Sequence, residues 1–184
     1  MLEQSPSPIV YYVAQSLDGF IADEANGIDW LLEFGFEAFQ QHYDAFYAGV
    51  GSVIMGARTF RWLVDSGEPW PYPELPCWVL SRSGVPDYPG ANARVTRDDV
   101  AAVAREARNA SGGRSVWMLG GGVTAARFAE AGELDELRIS VMPVSLGRGA
   151  GVLPHLGGPQ RWALTGTTTF DGGAIELAYR AVRD

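Results

Sequence analysis

The chain holds a single cysteine in 184 residues. Cys77 therefore has no internal disulfide partner. It stands in the run Cys77-Trp78-Val79-Leu80, which reads as a buried strand with the thiol packed as a small hydrophobe. An excess of basic charge is missing too. Lys and Arg number 14 against 22 Asp and Glu, a net charge of −8. That argues against nucleic acid as a partner, because a phosphate backbone needs a basic surface. It leaves room for a few arginines around a small anion. No stretch stays apolar for the roughly 18 residues of a membrane span, so no membrane partner is expected. Residues 1–8 lack the basic-then-apolar order of a signal peptide, and a reducing cytoplasm is the expected location. No metal set is visible. His42 and His155 lie far apart in the chain, neither with a partner at ligand spacing, and both read as surface or structural residues. A Gly-x-Ser-x-Gly elbow and a Gly-Lys-Ser/Thr phosphate loop are absent as well.

What is present suits one globular domain over 1–184, with 1–8 as a loose tail. Hydrophobic residues make up 47% and charged residues 20%, ordinary values for a packed core. Ile9 to Ala14 reads as a strand buried on both faces. Gln15 to Trp30, with Gly19 and Gly27, reads as a long loop of the kind that carries function. Phe34 to Tyr47 places Phe36, Phe39, Tyr43, Phe46 and Tyr47 on one helical face, with Glu37 on the solvated side. Further strands are expected at 51–56, 77–80, 93–95, 115–119 and 137–143. Helices are expected at 58–64, from Asp98 or Asp99 to about 109, and at 123–131, where Gly132 stops the last. Trp162 to Phe170 and Ala174 to Arg180 form a closing hairpin around Asp171-Gly172-Gly173. This alternation predicts a three-layer α/β/α fold, with a mainly parallel sheet and an antiparallel C-terminal hairpin.

Three strand ends carry the chemistry. At Leu119-Gly120-Gly121-Gly122-Val123-Thr124 a strand runs through glycines into a helix. Bare backbone N–H groups and the helix dipole favour an anion there, although a tight turn without a ligand has the same sequence. The Gly-x-Gly-x-x-Ala pattern over 120–125 invites a Rossmann reading. It comes after five strands, however, and no acid stands at the end of the next strand. Met55-Gly56-Ala57-Arg58-Thr59-Phe60 offers a close backbone approach and a hydroxyl. Leu80-Ser81-Arg82-Ser83 offers a hydroxyl beside a guanidinium, which suits a phosphate monoester. Ligands of open α/β sheets sit outside the carboxyl ends of the strands, so the three ends point to one dinucleotide.

Val13 to Ala22, Val53 to Phe60, Val79 to Arg82 and the triple glycine fall in the order and spacing of the dihydrofolate-reductase superfamily. Ser16-Leu17-Asp18-Gly19 and Leu146-Gly147-Arg148-Gly149 resemble one branch of it: the reductase domain of the bifunctional riboflavin-pathway deaminase–reductase, and its stand-alone relatives. The likeness spans about residues 8 to 180. It implies a dihydrofolate-reductase-like sheet and an NADPH-dependent reductase of a small heterocyclic substrate, such as 5-amino-6-(5-phosphoribosylamino)uracil. Ala14 and Ile21 would flank the nicotinamide. Gly56, Arg58 and Thr59 would meet the phosphates. Leu80, Ser81 and Arg82 would lie at the 2′-phosphate, and Gly120, Gly121, Gly122, Val123 and Thr124 at the pyrophosphate. Folate reductases carry arginine directly after the second-block glycine, where this chain has Ala57. The 2′-phosphate therefore falls to Arg58 or Arg82.

On the substrate side, folate reductases place a carboxylate on the first helix, where this chain has Gly35. Asp29 and Glu33 are the nearby acids, and Ser140 stands where a threonine supports that carboxylate. The missing acid argues against folate or pterin reduction as the main activity. It leaves open a catalytically inactive nucleotide-binding protein of the same fold. A homodimer is expected, with Trp162 and Phe170 as apolar contacts.

Overall fold

The computed structural model describes residues 7–183. Residues 1–6, the larger part of the expected loose tail, lie outside the described residues. Ser7 and Pro8 are tied down. The Ser111 hydroxyl donates to Ser7 Oγ at 2.8 Å, and the Val116 amide donates to the Pro8 carbonyl at 2.9 Å.

Eight strands form one sheet. They are β1 (Ile9–Ser16), β3 (Val50–Gly56), β4 (Cys77–Leu80), β5 (Ala93–Thr96), β6 (Ser115–Gly120), β7 (Glu136–Met142), β9 (Trp162–Thr169) and β10 (Ile175–Ala181). Their order is β5-β4-β3-β6-β1-β7-β10-β9. The strands from β5 to β7 are parallel, and β10 is antiparallel to both β7 and β9. This is the mainly parallel sheet with an antiparallel closing hairpin that the alternation of elements requires.

Side chains leave the two faces with period two, as a pleated strand dictates. Ile9, Tyr11, Ile54, Val116 and Met118 face α4 (Val100–Ala110) and α5 (Gly122–Glu130), with Val103, Ala107 and Phe128 in the same cluster. Val10, Val53, Met55 and Trp117 face the other way. There they meet Phe46 of α2 (Glu37–Ala48) and Phe60 of α3 (Ala57–Asp65). Three layers result. The central strand β3 is buried at every position, so its apolar run needs no alternation. Burial of each large side chain contributes about 1.5–3 kcal/mol relative to leaving it exposed.

Local signals set most boundaries. The Asp99 side chain accepts from the Ala102 amide at 2.8 Å and caps α4, a contact typically worth about 1 kcal/mol. Two segments differ from expectation. The loop 15–30 contains a short strand, β2 (Phe20–Ala22), paired with β8 (Ala150–Gly151) in a second, two-stranded sheet. The first helix is broken: α1 (Asp29–Leu32) ends near Gly35, whose φ is 68°, and α2 begins only at Glu37. The aromatic stripe continues across this break and hides it from a periodicity reading.

The topology gathers the strand ends. From β1 the chain crosses to β3, works outward to β5, returns to lay β6 between β3 and β1, and then places β7 on the far side of β1. The carboxyl ends of β1, β3, β4, β6 and β7 therefore open on one edge, on both sides of the reversal.

Candidate active site

Two helices start side by side at this edge. β3 and β6 are neighbours, with Met55 paired to Gly120. Gly56 is the N-cap of α3 and Gly121 that of α5, and no side chain caps either helix. The first-turn N–H groups of both helices are thus left for another acceptor, and both positive dipole ends point into the same space. The glycines fit the threonines of the facing helix closely. A Cβ on Gly56 would stand 2.6 Å from Thr124 Oγ1, and one on Gly120 would stand 3.1 Å from Thr59 Oγ1. Gly121 has φ 88°, a conformation few residues other than glycine adopt. Gly122 has a different task. A Cβ there would lie 2.1 Å from the Gly151 carbonyl oxygen, so it lets β8 pack against the start of α5. Backbone donors, two hydroxyls and an absence of Cβ atoms suit a pyrophosphate.

Basic side chains flank this cradle. Arg58 is exposed on the first turn of α3 and borders a cavity of about 400 Å³, shared with Asp23, Glu24, Asn26, Arg148, Gly149 and Ala150. Arg82 is exposed just beyond β4. The Ser81 hydroxyl, expected at a phosphate, donates to the Gly84 carbonyl at 2.7 Å and shapes the turn that holds Arg82. Arg61 also belongs here. It donates to the same Gly84 carbonyl at 2.7 Å. Its spacing of three from Arg58 puts both on one face of α3, a signal present in the sequence and overlooked there. Leu80 is buried at the end of β4, while Ala14, Ile21 and Thr59 are half-buried and Val123 is exposed.

Asp18 explains why two separated motifs occur together. Its carboxylate accepts from Ser16 Oγ at 2.6 Å, the Leu146 amide at 3.0 Å and the Gly147 amide at 2.6 Å. The Ser16-Leu17-Asp18-Gly19 turn is thereby fastened to Leu146-Gly147. These hydrogen bonds, that from Ser16 foremost, hold the carboxyl down at about 2.

On the face of the sheet toward α2, Ala14, Ser140 and Glu176 stand in register on β1, β7 and β10. Glu176 is 2% exposed. Its Oε1 accepts from Arg138 Nε at 3.0 Å and from a terminal Arg138 nitrogen at 2.8 Å, and its Oε2 lies 2.9 Å from His42 Nε2. Arg138 also lies over the Tyr12 ring, 5.2 Å from its centroid. Burial, reinforced by Glu176, pushes the Tyr12 phenol up to about 12. His42, expected to be surface or structural, is thus built into a charged cluster. Asp29 is exposed at the start of α1 and Glu33 is exposed just after its end, both outside the row formed by Ala14, Ser140 and Glu176. No local pattern marks Glu176, because its partners lie 38 and 134 residues away. Among the described residues there is no group of three or more His, Cys, Asp or Glu able to hold a metal.

The family model for the RibD C-terminal domain matches residues 8–175. The chain is 33% identical to Uncharacterized protein YwjB of Bacillus subtilis, over 92% of this chain and 95% of that one. Among solved structures, a protein of Shewanella sp. PV-4 assigned to riboflavin biosynthesis superposes with a TM-score of 0.82 at 23% identity, over 96% of this chain and 99% of that one. Dihydrofolate reductase from Enterococcus faecalis, complexed with NADP(H), superposes with a TM-score of 0.62 at 16% identity, over 95% and 96% of the two chains. The fold is dihydrofolate-reductase-like.

Proposed function

The chain belongs to the RibD C-terminal domain family, and on that footing we propose that it is an NADPH-dependent reductase of a small heterocyclic substrate, akin to 5-amino-6-(5-phosphoribosylamino)uracil. The observation that carries the proposal is the pair of uncapped helix starts at Gly56 and Gly121, flanked by Arg58, Arg61 and Arg82. In this reading the whole chain is one reductase domain that acts as a cytoplasmic homodimer. Its partner is a small molecule, with no nucleic acid, membrane or metal involved.

The cofactor would supply a hydride when bound. The chain's own residues bind, orient and exclude water. The N–H groups of α3 and α5, with Thr59 and Thr124, hold the pyrophosphate. Gly120, Gly121, Gly122 and Val123 let it approach, and Ala14 and Ile21 flank the nicotinamide. Arg82, with Leu80 and Ser81 setting its turn, and with Arg58 and Arg61 on the facing helix, holds the 2′-phosphate. Ser140 stands on the substrate side in register with Ala14. Asp29 and Glu33, exposed at the two ends of α1, lie at the rim of the substrate side.

A guanidinium on a phosphate contributes about 1.5–3 kcal/mol. Arg82→Ala is therefore expected to weaken NADPH binding roughly 10- to 100-fold, read by quenching of tryptophan fluorescence, and to leave NADH binding unchanged. Equal losses for the two cofactors would place the 2′-phosphate elsewhere.

A further inference from the structure

Basic residues are distributed unevenly over the carboxyl edge of the sheet. All 14 are arginine, and the first of them in the chain is Arg58. The cofactor half of the edge, at β3, β4 and β6, has Arg58, Arg61 and Arg82. Across β1 lies the substrate half, bounded by α1, α2, β7 and the β9–β10 hairpin. The segments β1, α1, α2 and β9 contain no basic residue. Arg138 on β7 is taken up by Glu176, whose Oε1 accepts from its Nε at 3.0 Å and from a terminal nitrogen at 2.8 Å. Arg180 on β10 pairs with Glu136 at the amino end of β7, away from this edge. Arg148 borders the cavity of Arg58 and reaches Glu24 at 3.6 Å. Acids stand on the substrate half instead: Asp29, Glu33, Glu37 and Asp171 are exposed. A phosphate monoester held there would meet like charge, without the guanidinium that usually binds it.

What the substrate half offers is aromatic. The row Ala14, Ser140, Glu176 crosses the sheet from the proposed nicotinamide position. At its far end His42, 2.9 Å from Glu176, meets Phe170 at 5.2 Å between ring centroids, and Phe170 meets Phe39 at 4.7 Å. Phe170 stands at the tip of the closing hairpin, beside the carboxyl end of β7, where Ile175 pairs with Val141. α2 ends at Ala48, just before β3 opens at Val50, so its first turns stand at the same carboxyl edge. There Phe36 is 50% exposed and Phe34 is 36% exposed. Exposed rings gathered at such an edge suit a flat apolar group that stacks on them.

We propose that the substrate is an uncharged heterocycle bearing an aromatic arm and no phosphate, and that Phe36 and Phe170 select it. The inference rests on the reductase reading above and narrows it: the heterocycle stays, and the phosphoribosyl arm does not.

Three compounds with one ring test this on the protein loaded with NADP+, with affinity read by calorimetry. They are 5-amino-6-(5-phosphoribosylamino)uracil, the same compound without its phosphate, and 5-amino-6-(benzylamino)uracil. The benzyl compound is expected to bind about tenfold more tightly than the phosphorylated one. The dephosphorylated compound is expected to bind no more weakly than its phosphorylated parent. Phe36→Ala and Phe170→Ala are each expected to weaken the benzyl compound about tenfold and to leave NADP+ affinity unchanged. Phe36→Arg supplies the missing cation, and is expected to reverse the order of the phosphorylated and dephosphorylated compounds. Phe170 is half-buried and its loss risks the hairpin, so the exposed Phe36 keeps the test decisive. Wild type that binds the phosphorylated compound more tightly than its dephosphorylated form overturns the proposal. So does a benzyl affinity unmoved by Phe36→Ala, or an NADP+ complex that binds none of the three. Failure of the wild type to bind either NADP+ or NADPH defeats instead the reductase reading on which the inference rests.

Discussion

Asp18 shows how one exposed side chain orders the rim of the site. It fastens the turn after β1 to the loop after β7 through two backbone amides and the Ser16 hydroxyl. Its carboxyl is held at about 2, below the ordinary 3.8. A carboxyl with a lowered folded value stabilises the fold fully above the unfolded value and loses that contribution as pH falls through the folded one. The difference in melting temperature between wild type and Asp18→Asn is therefore expected to hold above about pH 4 and to shrink toward pH 2. A difference that is constant over this window would mean that the charge plays no part. The pairing of the two motifs is visible in the sequence, but the hydrogen bonds that join them are not. Glu176 and His42 are harder still. Their relation depends on the register of a hairpin and on a helix that packs across β1, neither of which leaves a mark in the neighbouring residues.

At the scale of elements, the strands and helices with strong local signals were legible. The buried runs gave β1, β3, β4 and β6, the capping aspartate gave α4, and the glycines after β6 gave the start of α5. The three- and two-residue strands β2 and β8 were not legible, because each is held by a partner more than a hundred residues away. The break between α1 and α2 was missed because its aromatic stripe persists through Gly35. The contact of β3 with α5 has a direct test. Gly56→Ala brings a Cβ to 2.6 Å from Thr124 Oγ1 and only 3.7 Å from Thr124 Cβ. The single variant is expected to lose about 1–3 kcal/mol in urea unfolding. Thr124→Ala in the same chain should restore most of that loss, since the clashing atom is gone. Additive losses would show that the strain lies elsewhere.

For the whole molecule, the acidic surface and the local arginines divide the work. A net charge of −8 argues against a nucleic-acid partner, while Arg58, Arg61 and Arg82 line the edge where the helix starts converge. The residues expected at the contact of the proposed homodimer, Trp162 and Phe170, are both half-buried within the chain. Trp162 packs against the chain's own core, and Phe170 sits 4.7 Å from Phe39 between ring centroids. Leu164 is 56% exposed on the edge strand β9 and is the better candidate. Light scattering at micromolar concentration is expected to give a dimer for wild type and a monomer for Leu164→Glu. A monomeric wild type would refute the dimer. The central claim concerns the dinucleotide, and its most direct measurement is a fluorescence titration of the wild-type protein with NADPH and with NADH. Saturable quenching by NADPH in the micromolar range, with weaker binding of NADH, is the predicted result. No binding of either cofactor would contradict it.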